Sequence, residues 1–248
     1  MNVKILKNAA ELGAEAAKIA AKVLNNRIEE KGKARLVLST GASQFETLKA
    51  LAQEDVDWSK VEMFHLDEYV NLSEAHPASF RKYLKDRFVG LIPLQKAHYV
   101  NGEGNLDENI AALASEIRKE PIDLALIGIG ENAHIAFNDP PADFDTKEAY
   151  VVVDLDEACK RQQVGEGWFA TLNDVPKQAI TMTVHQIMQS EVILSCVPHK
   201  VKAKAIHDFF TNDVTNQIPA TILKKHPNFT LLLDELSASE AVSFIGKD

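Results

Sequence analysis

A single histidine stands between two glycines and a double proline in "GIGENAHIAFNDPP", residues 128–141. The stretch follows "IDLALIG" (122–128), an apolar run that reads as a buried strand, and it continues as a tight polar loop rather than a long amphipathic helix. Gly128 and Gly130 permit a sharp turn, so the loop presents His134, with Asn138 and Asp139 close behind it. An imidazole at a strand end can take and return protons near neutral pH; a structural histidine in a turn is the alternative.

Three further places carry groups of similar use. "STGAS", Ser39 to Ser43, joins a strand to a helix with small residues that let the backbone approach a ligand. The free N–H groups at the helix start favour an anion such as phosphate, or the stretch is an ordinary turn with Ser43 as N-cap. It is neither a Walker loop nor GxGxxG. In "HLDEY", Asp67 and Glu68 follow the strand that begins at residue 61. Neighbouring side chains there point apart, so at most one carboxylate faces a pocket. It is either a base in a dry cleft, its pKa raised by burial, or a turn and helix-capping acid. Lys200 starts the helix after "VILSCVP" and offers an ammonium for a phosphate, or is a surface lysine. No His, Cys or carboxylate spacing suits a metal and no serine has a GxSxG setting, so neither metal nor serine-nucleophile chemistry is supported.

These groups can act together only if the intervening elements bring them to one place. Apolar positions at helical spacing predict helices over 8–31, 44–53, 77–89, 106–120 and 199–210. Strands are predicted at "RLVLS" (35–39), "VEMFHL" (61–66), "AHYV" (97–100), "IDLALIG" (122–128), "AYVVVDL" (149–155), "AITMTV" (179–184), "VILSCV" (192–197) and "FTLLLD" (229–234). Continuous Val/Ile/Leu strands separated by helices imply an α/β fold, a mainly parallel sheet covered on both faces. Ligands of such sheets sit outside the carboxyl ends of the strands, where the polar groups above lie. With no internal repeat or linker, the 248 residues read as one domain. Residues 154–176 lack clean periodicity, and Gly165, Gly167, Trp168 and Phe169, read as exposed, suggest a mobile lid.

Composition narrows the partners. A net charge of −9 argues against nucleic acid or an anionic membrane surface, both of which need a basic footprint. Local donors can still hold an anionic small molecule. Cys159 and Cys196 form no CxxC pair and read as free thiols of a cytoplasmic protein. No export signal and no 18-residue apolar run is evident.

In order along the chain, "STGASQFETLKAL", "FHLDEYVNLSEAHPASF", "GIGENAHIAFNDPP", "VPKQAITMTV", "VPHKVKA" and "HPNFTLLLD" resemble the glucosamine-6-phosphate deaminase/isomerase family, which includes the 6-phosphogluconolactonases. "DEY" and "HIAFND" resemble the deaminase branch, whereas lactonases carry an "EDGHTASLFP"-like segment. The resemblance implies a Rossmann-like domain with a lid, using neither metal nor organic cofactor. It implies conversion of glucosamine 6-phosphate, or galactosamine 6-phosphate, to the ketose 6-phosphate and ammonia. Thr40, Gly41, Ala42 and Ser43 would cradle the phosphate with Lys200 and, as the nearest match to a lid arginine, Arg161. His134 would open the sugar ring, and Asp67 would carry the C2 proton to C1. Two positions depart from the family pattern: Asn132 stands where many deaminases have aspartate, and Asp139 where many have glutamate. The amide of Asn132 would orient His134 but not stabilise its cation as a carboxylate does. A lactonase and a non-catalytic sugar-phosphate sensor are the competing expectations, the acidic charge counting against a DNA-binding sensor.

Overall fold

The computed structural model describes residues 1–245. In chain order it comprises β1 (Asn2–Leu6), α1 (Ala9–Lys31), β2 (Ala34–Leu38), α2 (Phe45–Leu51), β3 (Val61–His65), β4 (Asp67–Tyr69), α3 (Phe80–Arg87), β5 (Lys96–His98) and α4 (Leu106–Ile117). There follow β6 (Leu124–Ile127), β7 (Tyr150–Asp154), α5 (Glu157–Gly165), β8 (Gln178–Met182), α6 (Val184–Met188), β9 (Ile193–Val197), α7 (Ala203–Thr211), β10 (Phe229–Asp234) and α8 (Glu235–Ala238).

Seven strands form a parallel sheet in the order β1-β10-β9-β6-β2-β3-β5. Successive side chains of a strand face opposite sides, and both sides are buried here. Leu36, Leu38, Leu124 and Leu126 pack against α1, while Val37, Ala125 and Ile127 belong to the opposite cluster. That is why these strands lack polar alternation in the sequence. Alanines 16, 17, 20 and 21 of α1 are buried, and small side chains let α1 approach both sheet and α2. At Gly13 a Cβ would lie 2.6 Å from the Glu46 backbone.

From β2 the chain steps outward to β3 and β5, then returns to place β6 on the other side of β2. The strand order therefore reverses between β2 and β6, and a crevice opens beyond their carboxyl ends. Ser39 N donates to Leu126 O at 3.0 Å, which keeps the "STGAS" and "GIGENAH" loops side by side.

The parallel sheet is not the whole β-structure. β4, β8 and β7 form a separate antiparallel sheet, with Asp67 opposite Thr181 and Tyr150 opposite Met182. The run predicted to end at residue 66 thus breaks after His65 and starts again as "DEY". The N-terminal strand β1, not anticipated from the sequence, pairs with β10. Residues 154–176 are more ordered than predicted: α5 spans Glu157–Gly165 with Asp156 as N-cap, and Phe169 is buried, not exposed. Its ring packs against Tyr69 and His76, at centroid distances of 5.4 Å in each case. Burial of one large aromatic in a tertiary cluster outweighs the glycines, Gly165 and Gly167, that precede it.

Candidate active site

The crevice holds a cavity of about 720 Å³. Its walls come from the "STGAS" loop, the β6 loop, Asp67, α5 and the turn after β9. Of the residues singled out in the sequence, Thr40, Gly41, Ala42, Ser43, Asp67, Asn132, His134 and Arg161 line it.

His134 is set by its own loop. Gly130 N donates to His134 O at 2.9 Å, and the imidazole lies so close over Gly130 that a Cβ there would be 2.3 Å from Nε2. Ala133 and Ala136 on either side have φ of 62° and 52°, left-handed conformations that cost L-residues energy and persist where the surroundings enforce them. The enforcement is visible: buried Asn138 donates to Ile135 O and Met182 O at 2.8 and 2.9 Å, and Phe137 N donates to Thr181 Oγ1 at 3.0 Å. Asn138 is thus the tie between loop and β8.

Behind the ring, His134 Nδ1 lies 2.9 Å from Asp139 Oδ1. The contact is an ion pair whenever the imidazole is protonated. Burial pushes the Asp139 acid up, but the imidazole and the Asn132 and Cys159 donors outweigh it and hold Asp139 below the usual carboxylate range. Asn132 Nδ2 donates to Asp139 Oδ1 at 3.0 Å, and its Oδ1 accepts from His134 N at 3.2 Å. The amide therefore acts on the histidine through Asp139 and the backbone rather than on the ring, as the loop from Asn132 folds Asp139 back between them.

Asp67 and Glu68 have opposite fates, as strand alternation requires. Glu68 is fully buried and accepts from Ser79 Oγ (2.8 Å), Arg81 N (2.9 Å) and Arg81 Nε (3.2 Å) at the start of α3; it is the helix-capping acid. Asp67 faces the cavity, 6% exposed. Burial, and then the Glu68 charge, push its carboxyl well above the ordinary range, the condition of a base in a dry cleft. Two residues before it, His65 is buried and lowered to about 3, chiefly by desolvation, so it is neutral. Its Nε2 accepts from Val100 N at 2.8 Å and its carbonyl from Tyr150 OH at 3.0 Å, pinning the β3–β4 junction.

The expected phosphate cations require correction. Lys200 Nζ is turned outward to Ser239 Oγ (2.9 Å) and Glu240 Oε1 (2.7 Å) and does not line the cavity. Lys202 lines it instead, buried, its ammonium pushed down by desolvation. The two lysines lie on one 3-10 turn that follows His199 at φ 82°, where residues two apart are rotated about 120° from each other. The "HKVK" pair was the only available signal. Arg161 reaches the cavity rim but is exposed, its guanidinium held by Glu157. Among the described residues no three His, Cys, Asp or Glu side chains cluster as metal ligands, and no helix is long and apolar enough to cross a membrane.

A doubly covered parallel sheet whose switch-point crevice gathers an imidazole–carboxylate pair, a buried acid and an anion-suited loop defines an α/β acid–base enzyme. The chain belongs to the family of glucosamine-6-phosphate isomerases and 6-phosphogluconolactonases, whose family model matches residues 7–232. It is 39% identical over 247 residues to a glucosamine-6-phosphate deaminase of Shouchella clausii, covering 96% of this chain and 97% of that one. A second relative of that name, from Lactobacillus delbrueckii subsp. bulgaricus, is 32% identical with 96% and 99% covered. A solved monomeric glucosamine-6-phosphate deaminase superposes with a TM-score of 0.89 at 30% identity, covering 97% of this chain and all of that one. The 6-phosphogluconolactonase of Shewanella baltica, at 17% identity and TM-score 0.79, shares the fold.

Proposed function

We propose that this chain is a glucosamine-6-phosphate deaminase, converting its substrate and water to fructose 6-phosphate and ammonia. The observation that carries this reading is that Asp67 and His134 face one cavity together with the Thr40–Ser43 loop and Lys202. His134 takes the O1 proton and returns it to the ring oxygen, opening the pyranose, with Asp139 supporting the imidazolium. Asp67 removes the C2 proton, now acidic beside the C1 aldehyde, and delivers it to C1, while O1 gains a proton given up by the C2 ammonium, so that C1 becomes an alcohol and C2 an iminium. Water adds to the resulting 2-iminium and ammonia leaves. The two buried, unpaired cysteines suit a reducing, cytoplasmic setting. The reading is tested by giving the pure protein glucosamine 6-phosphate, galactosamine 6-phosphate and 6-phosphogluconolactone in turn. Ammonia with fructose 6-phosphate from the first supports it; lactone hydrolysis alone overturns it.

The phosphate assignment separates the two lysines. Lys202→Ala is expected to raise KM by about 10- to 100-fold, the loss of a charge-assisted hydrogen bond. Lys200→Ala should leave KM within about twofold, since an exposed ion pair contributes little. Equal effects in steady-state kinetics would reject Lys202 as the phosphate cation.

Residues 154–176 are read as a lid over the bound sugar phosphate. Hydrogen exchange at α5 is expected to slow when substrate or product is added. Unchanged exchange would mean a fixed wall.

A further inference from the structure

Gln163 of α5 is buried, 7% exposed, and lines the cavity. Its Oε1 accepts the Tyr69 hydroxyl proton at 2.7 Å. Tyr69 is fully buried, its ring enclosed by Phe80, Phe137 and Phe169 at centroid distances of 5.1, 5.4 and 5.4 Å. Away from water, that phenol fixes the carboxamide by taking its oxygen. The amide nitrogen, a two-proton donor, makes no hydrogen bond to any other described residue. It is not among the fully buried polar atoms that lack a partner, so it opens to the cavity that Gln163 lines, and a donor held at a cavity wall is suited to a ligand acceptor.

Which acceptor follows from the rest of the cavity. On the deaminase reading, on which this inference rests, the phosphate lies at the Thr40–Ser43 loop and Lys202, O1 and the ring oxygen at His134, and C2 at Asp67. The oxygens left over are the hydroxyls on C3 and C4. Asp67 and Tyr69 are two apart on β4 and share one face of the strand, so the residue bonded to Tyr69 stands on the same side of β4 as the base.

We propose that Gln163 is a specificity-determining residue whose amide donates to the C3 or C4 hydroxyl of the sugar phosphate, with Tyr69 as the residue that positions it. Because C4 is where glucosamine and galactosamine 6-phosphate differ, a contact there sets the preference between them.

The test compares wild type, Gln163→Met and Tyr69→Phe on glucosamine 6-phosphate and its 3-deoxy and 4-deoxy analogues. Gln163→Met should lower kcat/KM about tenfold on the parent sugar, the loss of one hydrogen bond, and leave kcat/KM unchanged on whichever analogue lacks the partner hydroxyl. Tyr69→Phe should cost severalfold alone and nothing further in the Gln163→Met background. In wild type, which depends on no variant folding, one deoxy analogue should fall about tenfold below the other. Equal losses on all three sugars would mean that Gln163 only packs the lid, and would overturn the proposal. If wild type releases no ammonia from glucosamine 6-phosphate, the deaminase reading fails separately. The same comparison is then read from calorimetric binding of 2-amino-2-deoxyglucitol 6-phosphate and its deoxy forms, where uniform losses, or no binding to wild type, overturn the Gln163 assignment.

Discussion

Asp67→Asn is expected to abolish turnover, by a factor of at least about 10²–10⁴, while making the protein harder to melt at neutral pH. The first effect follows from removing the base: the variant should still bind a sugar phosphate but lose exchange of the C2 proton with solvent deuterium. The second follows from the buried acid. Burial, and then the Glu68 charge, hold the Asp67 proton well above the ordinary carboxylate range. Below the unfolded value of about 4 both states are protonated and nothing is lost. As pH rises past it, the unfolded chain ionises while the folded one keeps its proton, so stability falls until the folded acid ionises too. Asparagine has no such decline. The melting-temperature advantage of the variant should therefore grow from about pH 4 upward. Wild-type activity should climb over the same range, as the base becomes free to act. A variant that melts lower than wild type at pH 8, or that exchanges C2 normally, would remove Asp67 from this role.

His134→Gln should lower kcat on the closed-ring sugar by about 10²–10⁴-fold with little change in affinity for the open-chain alditol phosphate. Ring opening needs a proton carrier, and glutamine of similar reach carries none. Asp139→Asn should cost less, about tenfold, the scale of one lost charge-assisted contact, because Asp139 acts only through the ring. Asp139 Oδ1 lies 2.9 Å from Nδ1, on the side away from the cavity it does not line. If the alditol phosphate binds His134→Gln far more weakly than wild type, the histidine is a binding group, and its ring-opening role is lost.

Much of the site was legible in the sequence because strand ends are local signals. An apolar run followed by Gly128 and Gly130 marks where a strand stops and what comes next, so His134 could be placed without knowing any neighbour. The same holds for the small residues 40–43 and for the separation of Asp67 from Glu68, which needs only strand alternation. Partners across the fold were not legible. That Asn132 bonds Asp139, that Glu68 caps α3 through Arg81 and Ser79, and that Gln163 meets Tyr69 depend on segments far apart in the chain or on the closure of a loop.

Periodicity and composition, read from residues alone, determined the α/β class, the doubly covered parallel sheet and the strand ends that bear its chemistry, since hydrophobic pattern and turn residues act within a few positions of themselves. The tertiary structure decided the rest. It split "DEY" from β3 into a second, antiparallel sheet with β7 and β8, because a three-residue strand has no pattern of its own and takes its pairing from its partners. It buried Phe169, because an aromatic cluster offered more than local glycines could oppose. It turned Lys202 rather than Lys200 toward the cavity, on the turn that follows His199 with its φ of 82°, and no spacing of lysines records which way that turn is wound.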